Sequence, residues 1–400
     1  MRKALTKALA VFLLISFLFI FSSCRVIESD ISSDDAFLTQ KENTESAPQD
    51  TEAVLPDGSV TISMVGDVLL HEKVSQSGKM ADGTYNYDHL FANVKDRIEK
   101  ADIAIVNQEV ILGGRDLGLT GYPSFNGAFE VGDSLADAGF DIVLHATNHT
   151  IDRGSTAVRN CIDFWETNHP EITVLGINSS AEEQTQIYVR EENGIKIAFL
   201  NYTYGTNGIP LPSDMPYAVN LLSEDTLRRD ISMAEEIADF TVVLPHWGTE
   251  YTLKPDSNQE YWTRIMLENG ADLVIGTHPH VIQPIELIED EGHSMLVYYS
   301  VGNFINSTAQ KGKGIANRMV GGIATVTINK DEDGSVYIES YGVVPTVTHV
   351  LTGSGRITTY LLSDYTEDMA KENEIISSDS SFSLEYCLDL VEKVFGDLAE

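Results

Sequence analysis

The sequence predicts an α/β fold in which much of the strand pairing is parallel and a further pair of strands is antiparallel. Three observations carry this. Seven short apolar runs each break off into polar or metal-binding residues: Thr61–Val65, Asp102–Val106, Asp141–Leu144, Ile197–Leu200, Thr241–Leu244, Leu273–Ile275 and Met295–Tyr299. Helix-like segments stand between several of them, and such alternation marks parallel sheets. Near the end, Gly321–Asn329 and Val336–Val343 meet around Asp333-Gly334, which predicts a hairpin and a second sheet with antiparallel strands.

In chain order, the amino terminus speaks first of compartment. Arg2, Lys3 and Lys7 precede an apolar run, Ala8–Phe21, of about fourteen residues; that length suits a signal-peptide core better than a membrane span of about twenty. Phe21-Ser22-Ser23-Cys24 resembles a bacterial lipobox, although Phe21 stands where an aliphatic residue is usual. Residues 1–24 are then a lipoprotein signal peptide, with Cys24 lipidated and left as the new N-terminus. An ordinary signal peptide or an uncleaved anchor is the alternative, and each version places the rest of the chain outside the cytoplasm. Residues 25–58, rich in Ser, Thr, Asp, Glu and Gln, read as a disordered acidic tether.

The folded part is expected over 59–350. Its helices are expected at Leu90–Ala101, Val131–Gly139 with Gly139 as the cap, Ser155–Thr167, Ser223–Ala238 and Asn258–Gly270. Residues 351–400 are expected to form a helical extension packed on this domain, with Phe382–Leu398 an amphipathic helix.

Composition excludes some partners. The 400 residues carry 61 acidic against 26 basic side chains, a formal charge of −35. Nucleic acid is not an expected partner, since it needs a basic footprint. A soluble polyanion would also be repelled unless metal ions or a local basic patch offset the field. Cys24, Cys161 and Cys387 match no zinc spacing. Cys161 reads as a small apolar residue on a helix, with a Cys161–Cys387 disulfide as the alternative.

The chemistry gathers at the run ends. In Leu273–Gln283 a buried strand stops at Gly276, and His278 and His280 flank Pro279. Proline biases its predecessor toward extended backbone, in which residues two apart share a side. Both imidazoles should therefore project one way from the carboxyl end of a strand, where α/β sheets place ligand sites. Asp67, His71, Glu109, Asn148, His149 and His246 follow other runs. Oxygen and imidazole donors without thiolate suit Zn²⁺, Mn²⁺ or Fe. The set exceeds what one tetrahedral ion needs and suffices for two ions about 3.5–4 Å apart sharing a carboxylate. Burying Asp67 and Glu109 without a cation would cost on the order of several kcal/mol.

Plainer roles stand beside these. Asp67 and Asn148 have an N-cap alternative, His71 a surface one, and Asp152 a turn role before Gly154. His145 reads as structural and Trp247 as packing. Tyr202, Tyr204 and Asn207 are candidate substrate contacts, and Glu250 and Tyr251 candidate cleft liners. Asn303 either bonds a ligand or caps a turn.

The motifs GDVLLH, NQE, NHTIDRG, HWGTEY, GTHPHVIQ and YSVGNF, in that order from Val60 to Asn306, resemble those of the CapA-type poly-γ-glutamate capsule biosynthesis proteins. Tyr202–Gly208 and Tyr217–Asn220 fit the same pattern. That family is in turn similar to calcineurin-like metallophosphoesterases. The resemblance implies a four-layer α/β/β/α sandwich with mixed sheets and a centre of two divalent ions. It implies that Asp67 bridges both metals, with Glu109 in the place of a second-motif aspartate. Asn148, His246, His278 and His280 would be further ligands. His71 stands four residues after Asp67, where the phosphoesterases place a histidine two residues on. His149 would assist the leaving group or stabilise the transition state, oriented by Asp152.

The function so implied is that of a lipid-anchored, extracytoplasmic, metal-dependent protein that makes, exports or attaches a capsule polymer by hydrolysis or transfer. Its expected partners are the membrane, a membrane polymer synthase or export complex, and the cell-surface polymer. A secreted phosphodiesterase or phosphatase without a polymer role is one alternative, and a non-catalytic scaffold the other.

Overall fold

The computed structural model describes residues 58–290 and 292–400. The expected signal peptide, the lipidation site Cys24 and the tether up to residue 57 lie outside the described residues. Sheet 1 begins with β1 (Val60–Val68), β2 (Ile103–Asn107), β3 (Ile142–Leu144) and β4 (Thr173–Leu175). Sheet 2 takes β5 (Tyr188–Glu192), β6 (Ile195–Thr203), β7 (Phe240–His246), β8 (Leu273–Ile275), β9 (Ile285–Asp290) and β10 (His293–Tyr298). The chain then returns to sheet 1 with β11 (Asn303–Ile305), β12 (Val320–Lys330), β13 (Val336–Val350) and β14 (Ile357–Leu361). The helices are α1 (Glu72–Ser77), α2 (Lys95–Ile98), α3 (Phe129–Asp137), α4 (Gly154–Asn168), α5 (Glu224–Ile237), α6 (Ser257–Glu268), α7 (Glu367–Glu372) and α8 (Leu384–Phe395). None of the described helices is long and apolar enough to cross a membrane.

Sheet 1 runs β14-β13-β12-β1-β2-β3-β4, with β11 beside the end of β1; sheet 2 runs β5-β6-β7-β8-β10-β9. β1 to β4 are mutually parallel, as are β6, β7, β8 and β10. The β12–β13 hairpin is antiparallel and joins β1 antiparallel. Side-chain alternation sets the layers. Along β6, Ile195, Ile197 and Phe199 enter one core, while Ala198, Leu200 and Tyr202 enter another. The first core also takes Ile62 and Val326 of sheet 1 and Val131 and Val158 of α3 and α4. The second takes Leu227 and Ile231 of α5 and Met266 of α6. Tyr298 spans the sheets, its hydroxyl donating to the Thr325 and Gly342 carbonyls at 3.2 and 2.8 Å. The expected mixed-sheet α/β sandwich is thus borne out.

An aspartate opens four of the parallel strands in one repeated way. Asp102, Asp141, Asp239 and Asp272 each accept a backbone N–H from the neighbouring strand on a carboxylate oxygen, at 2.7–2.9 Å. Each also donates its own amide to that strand, to Thr61, Ala104, Lys196 and Thr241 respectively. These two-way bonds pin strand starts in register, which fixes where the opposite, carboxyl ends emerge.

Several expectations are corrected. Leu90–Ala101 is not one helix: a 3₁₀ turn at Asp88–Leu90 and the four-residue α2 flank a break, and the buried Phe91 and Val94 lie between them. Residues 351–400 are not purely helical, because β14 completes an edge of sheet 1 against β13; α7 and α8 follow it. The reading of Cys161 as a small buried residue is borne out instead: Cys161 and Cys387 are both buried free thiols, not the alternative disulfide.

Candidate metal centre

Parallel strands of both sheets end at one place. Asp67 lies at the end of β1, Glu109 just past β2, Asn148 and His149 past β3, His246 at the end of β7, and His278 and His280 past β8. Two glycines allow the approach. A Cβ on Gly66 would lie 1.8 Å from the Gly302 carbonyl oxygen, and one on Gly276 would lie 2.3 Å from Trp247 Nε1.

His278 and His280 reach the site differently from the expectation. Neither is extended: their φ angles are +97° and +58°. Left-handed backbone costs a non-glycine residue on the order of 1–3 kcal/mol and collects at functional sites. Asn207 and Tyr251, also at positive φ, border the same site, so four of the five such non-glycine residues among the described residues gather here, Asn193 being the other. The two imidazole centroids end 5.8 Å apart.

Glu109 is the centre of the arrangement. It is wholly buried, and neither carboxylate oxygen has a hydrogen-bond partner. Its Oε1 is surrounded by Nε2 of His280, His246 and His149 at 3.7, 3.9 and 4.0 Å. Those separations are too long for hydrogen bonds; for His280 and His246 they match donors each about 2.0–2.2 Å from an ion shared with Glu109, whereas His149 belongs to no donor triad among the described residues. Two buried donor triads result, Asp67–Glu109–His280 and Glu109–His246–His278, and a third, Glu250–His278–His280, lies toward the surface. Glu109, not Asp67, is common to the two buried triads.

The surrounding bonds orient these donors. Nδ1 of His280 lies 3.1 Å from Asp67 Oδ2 and 3.0 Å from Asn303 Oδ1, which turns Nε2 toward Glu109. Nδ1 of His246 meets Thr277 Oγ1 at 2.9 Å, and its Nε2 lies 3.0 Å from Asn148 Oδ1. Asp67 also receives the Asn107 side-chain amide at 2.8 Å and the His278 amide at 3.3 Å. His278 Nδ1 is buried without a partner. His149 Nδ1 lies 2.7 Å from Asp152 Oδ2, and Phe125 packs edge-on to the His149 ring at 4.6 Å.

The electrostatics favour a cation. Burial pushes the Glu109 carboxyl well above its ordinary range, against the pull of His280, and Asp67 adds to the push. Burial lowers His280 too, but Glu109 and the bond to Asp67 outweigh it and hold it up to about 9. Burial, then the neighbouring imidazoles, hold His246 and His278 well below the usual histidine range. Divalent charge at the triads would satisfy the carboxylates and use the neutral imidazoles as they stand. The donor set therefore fits divalent cations.

His71, His145 and Trp247 take no part in the triads. His71 follows β1 as the N-cap of α1 and belongs to no described donor group; its ring packs 5.4 Å from Phe125, and burial, then His280 and His149, bring it down to about 4. His145 is structural: Trp165 Nε1 donates to its Nε2 at 3.1 Å, and burial lowers it to about 3. Trp247 is a packing residue in the second core. Asn107, Thr277 and Arg318 are the neighbours that sequence reasoning missed. Asn107 had a signal, its place two residues before Glu109, whereas Arg318 follows no strand end.

The family described as "Bacterial capsule synthesis protein PGA_cap" matches residues 61–308. The capsule biosynthesis protein CapA of Bacillus anthracis is 27% identical over 271 residues, 64% of this chain and 63% of that protein. The PGA biosynthesis protein CapA of Bacillus subtilis (strain 168) is 30% identical over 181 residues, 43% of this chain and 44% of that protein. The chain therefore spans less than two thirds of the length of these curated relatives. Among solved structures, Haemophilus influenzae NAD nucleotidase (NadN) aligns with a TM-score of 0.47 at 11% identity, covering 86% of this chain and 63% of that one.

Proposed function

Because the chain belongs to the PGA_cap family of bacterial capsule synthesis proteins, we propose that it serves synthesis of a PGA-type surface polymer through a dinuclear metal centre that cleaves or transfers a phosphoester or amide. The observation that carries this is Glu109, whose two buried, unpaired oxygens lie among three imidazoles. Asp67 and His280 would hold one ion; Asn148, His246 and His278 the other; Glu109 would join both. Divalent ions there would polarise a phosphoryl or carbonyl oxygen and lower the pKa of a nearby water. His149, fixed by Asp152, would give a proton to the leaving group or a hydrogen bond to developing negative charge. His278 and His280 enter at left-handed backbone, a strain that collects at functional sites, and Asp67 and Asn303 orient the His280 ring.

We propose in addition that lipidation of Cys24 holds the protein at the outer face of the membrane, beside the machinery that makes or exports the polymer. The formal charge of −35 opposes free association with an anionic polymer, so a chain end presented by membrane partners is the favoured substrate.

Elemental analysis of the domain beginning near Val60 tests the centre. About two divalent ions per chain are expected, with a clear loss in His278→Ala. Absence of bound metal after Mn²⁺ loading would remove the reading. Activity toward capsule polymer with Mn²⁺, and none toward generic aryl phosphoesters, would separate the polymer role from that of a general phosphatase. Metabolic labelling with a fatty acid, lost in Cys24→Ala, tests the anchor.

A further inference from the structure

A cavity of about 420 Å³ opens beside the triads, bounded by His149, His280, Tyr122, Tyr251 and Arg318 among others. Among the described residues Arg318 is the only Lys or Arg on its wall. Its residue is 8% exposed, and its Nε is buried with no hydrogen-bond partner. Among the described residues it forms no ion pair, although the chain is strongly acidic. Its Cζ lies over the Tyr251 ring, 3.4 Å from the centroid, and Tyr251 in turn stacks on His280 at 5.9 Å.

The main chain is built to keep Arg318 there. Asn303 Nδ2 donates to the Arg318 carbonyl at 2.9 Å and to the His280 carbonyl at 3.1 Å, while its Oδ1 faces His280 Nδ1. One side chain therefore ties the cation to the metal-site loop. The Tyr251 amide donates to the Pro279 carbonyl at 2.7 Å, which ties the stacking ring to the same loop.

Glu250 stands on the same wall and draws on Arg318 without forming an ion pair with it, and a desolvated cation with no carboxylate in contact is costly unless a ligand completes it. Guanidinium presents a planar fork that suits an oxyanion in two-point contact, and stacking on an aromatic face leaves that fork free at its edge. We infer, on the strength of the metal-site reading above, that Arg318 on its Tyr251 platform is a specificity-determining residue which binds an oxyanion of the substrate, a carboxylate or a phosphate, next to the group held by the metals. The subsite selects a substrate with a second negative charge adjoining the scissile bond. It also supplies the local positive charge that an acidic protein needs to admit an anionic chain end.

The test is calorimetric titration of the full chain, both Mn²⁺-loaded and in chelator. The probes are γ-linked triglutamate, the same peptide with its carboxylates amidated, glycerol phosphate and glycerol. Wild type should prefer at least one oxyanion over its neutral counterpart by about tenfold or more. Arg318→Gln should abolish that preference at unchanged Mn²⁺ content, and Arg318→Lys should restore part of it. Loss confined to the peptide pair identifies a carboxylate subsite, and loss confined to the glycerol pair a phosphate subsite. The inference falls if wild type prefers neither oxyanion, or if Arg318→Gln keeps the wild-type ratio. Should Arg318→Gln fail to fold, the wild-type ratio and Arg318→Lys decide. A wild type that binds no Mn²⁺ yet keeps the oxyanion preference in chelator would instead count against the metal reading alone.

Discussion

Asp152 Oδ2 lies 2.7 Å from His149 Nδ1, and the same oxygen accepts the Phe125 amide at 2.8 Å. The carboxylate is thus fixed by the backbone before it fixes the imidazole. With Nδ1 engaged, Nε2 is the atom left facing Glu109, 4.0 Å away. The first prediction follows from this order of constraint. Asp152→Asn keeps the size and the Phe125 bond but weakens control of the His149 ring. Turnover of a substrate by the Mn²⁺-loaded protein should fall about 10–100-fold, with metal content unchanged. Equal losses of metal and turnover would show that Asp152 supports the ligand set and not His149.

Glu109 gives opposite expectations for the two states of the protein. Without metal the cost of burying Glu109 outweighs the attraction of His280, so Glu109→Gln should stabilise the chelator-treated protein by about 1–3 kcal/mol. With Mn²⁺ present the same change should sharply weaken binding, because both buried triads lose their common donor. Thermal denaturation in chelator and in Mn²⁺ reads both effects. A variant less stable than wild type in chelator would contradict the picture of Glu109 as a metal-requiring orphan.

Much of this centre was legible because its donors follow apolar runs. Asp67, Glu109, Asn148 and His246 are each placed by a strand whose apolar residues are plain in sequence, and sheet topology does the rest. The two later histidines were harder. Proline suggested extended backbone, but His278 and His280 take positive φ, a choice set by the tertiary bonds Tyr251 N–H to Pro279 and His278 N–H to Asp67. Arg318 was invisible for a similar reason. It sits in a 3₁₀ turn, Ile315–Met319, and its place depends on Asn303, a contact between loops that no periodicity encodes. The edge strands β5, β9 and β14 escaped because half-exposed edges carry little apolar pattern.

The metal-free protein should show an alkaline limb in stability. His280 is held up to about 9 by its carboxylate neighbours, above its unfolded value near 6.5. A raised folded pKa means the folded state keeps a proton that the unfolded state has released. Stability from this source is complete below about pH 6.5 and is lost as pH rises to about 9, by at most about 3 kcal/mol. Divalent metal requires His280 as a neutral donor, so saturating Mn²⁺ should flatten the limb. Melting temperatures from pH 6.5 to 9 in chelator and in Mn²⁺ test this, and identical slopes in the two series would refute it.

Asp272 and Asp239 make the same two-way backbone bonds at the starts of β8 and β7, yet their acidities diverge. The bond from the Lys196 amide, then the Lys330 ammonium at 3.2 Å, hold Asp239 below the usual carboxylate range despite partial burial. Asp272 has no such cation in contact; burial dominates and pushes it up to about 7, with Glu235 adding to the push against the Thr241 amide and His293. Between its unfolded value near 3.9 and about 7 the folded state holds the extra proton, so stability falls as pH rises through that window. Asp272→Asn keeps an oxygen for the Thr241 amide and removes the titration. The variant should therefore gain stability over wild type at pH 8, by at most about 4 kcal/mol, and gain much less at pH 5. Urea denaturation of both proteins at both pH values measures the difference. A gain of equal size at the two pH values would mean that packing, not ionisation, sets the cost of Asp272, and no gain at pH 8 would mean that its charge is already solvated.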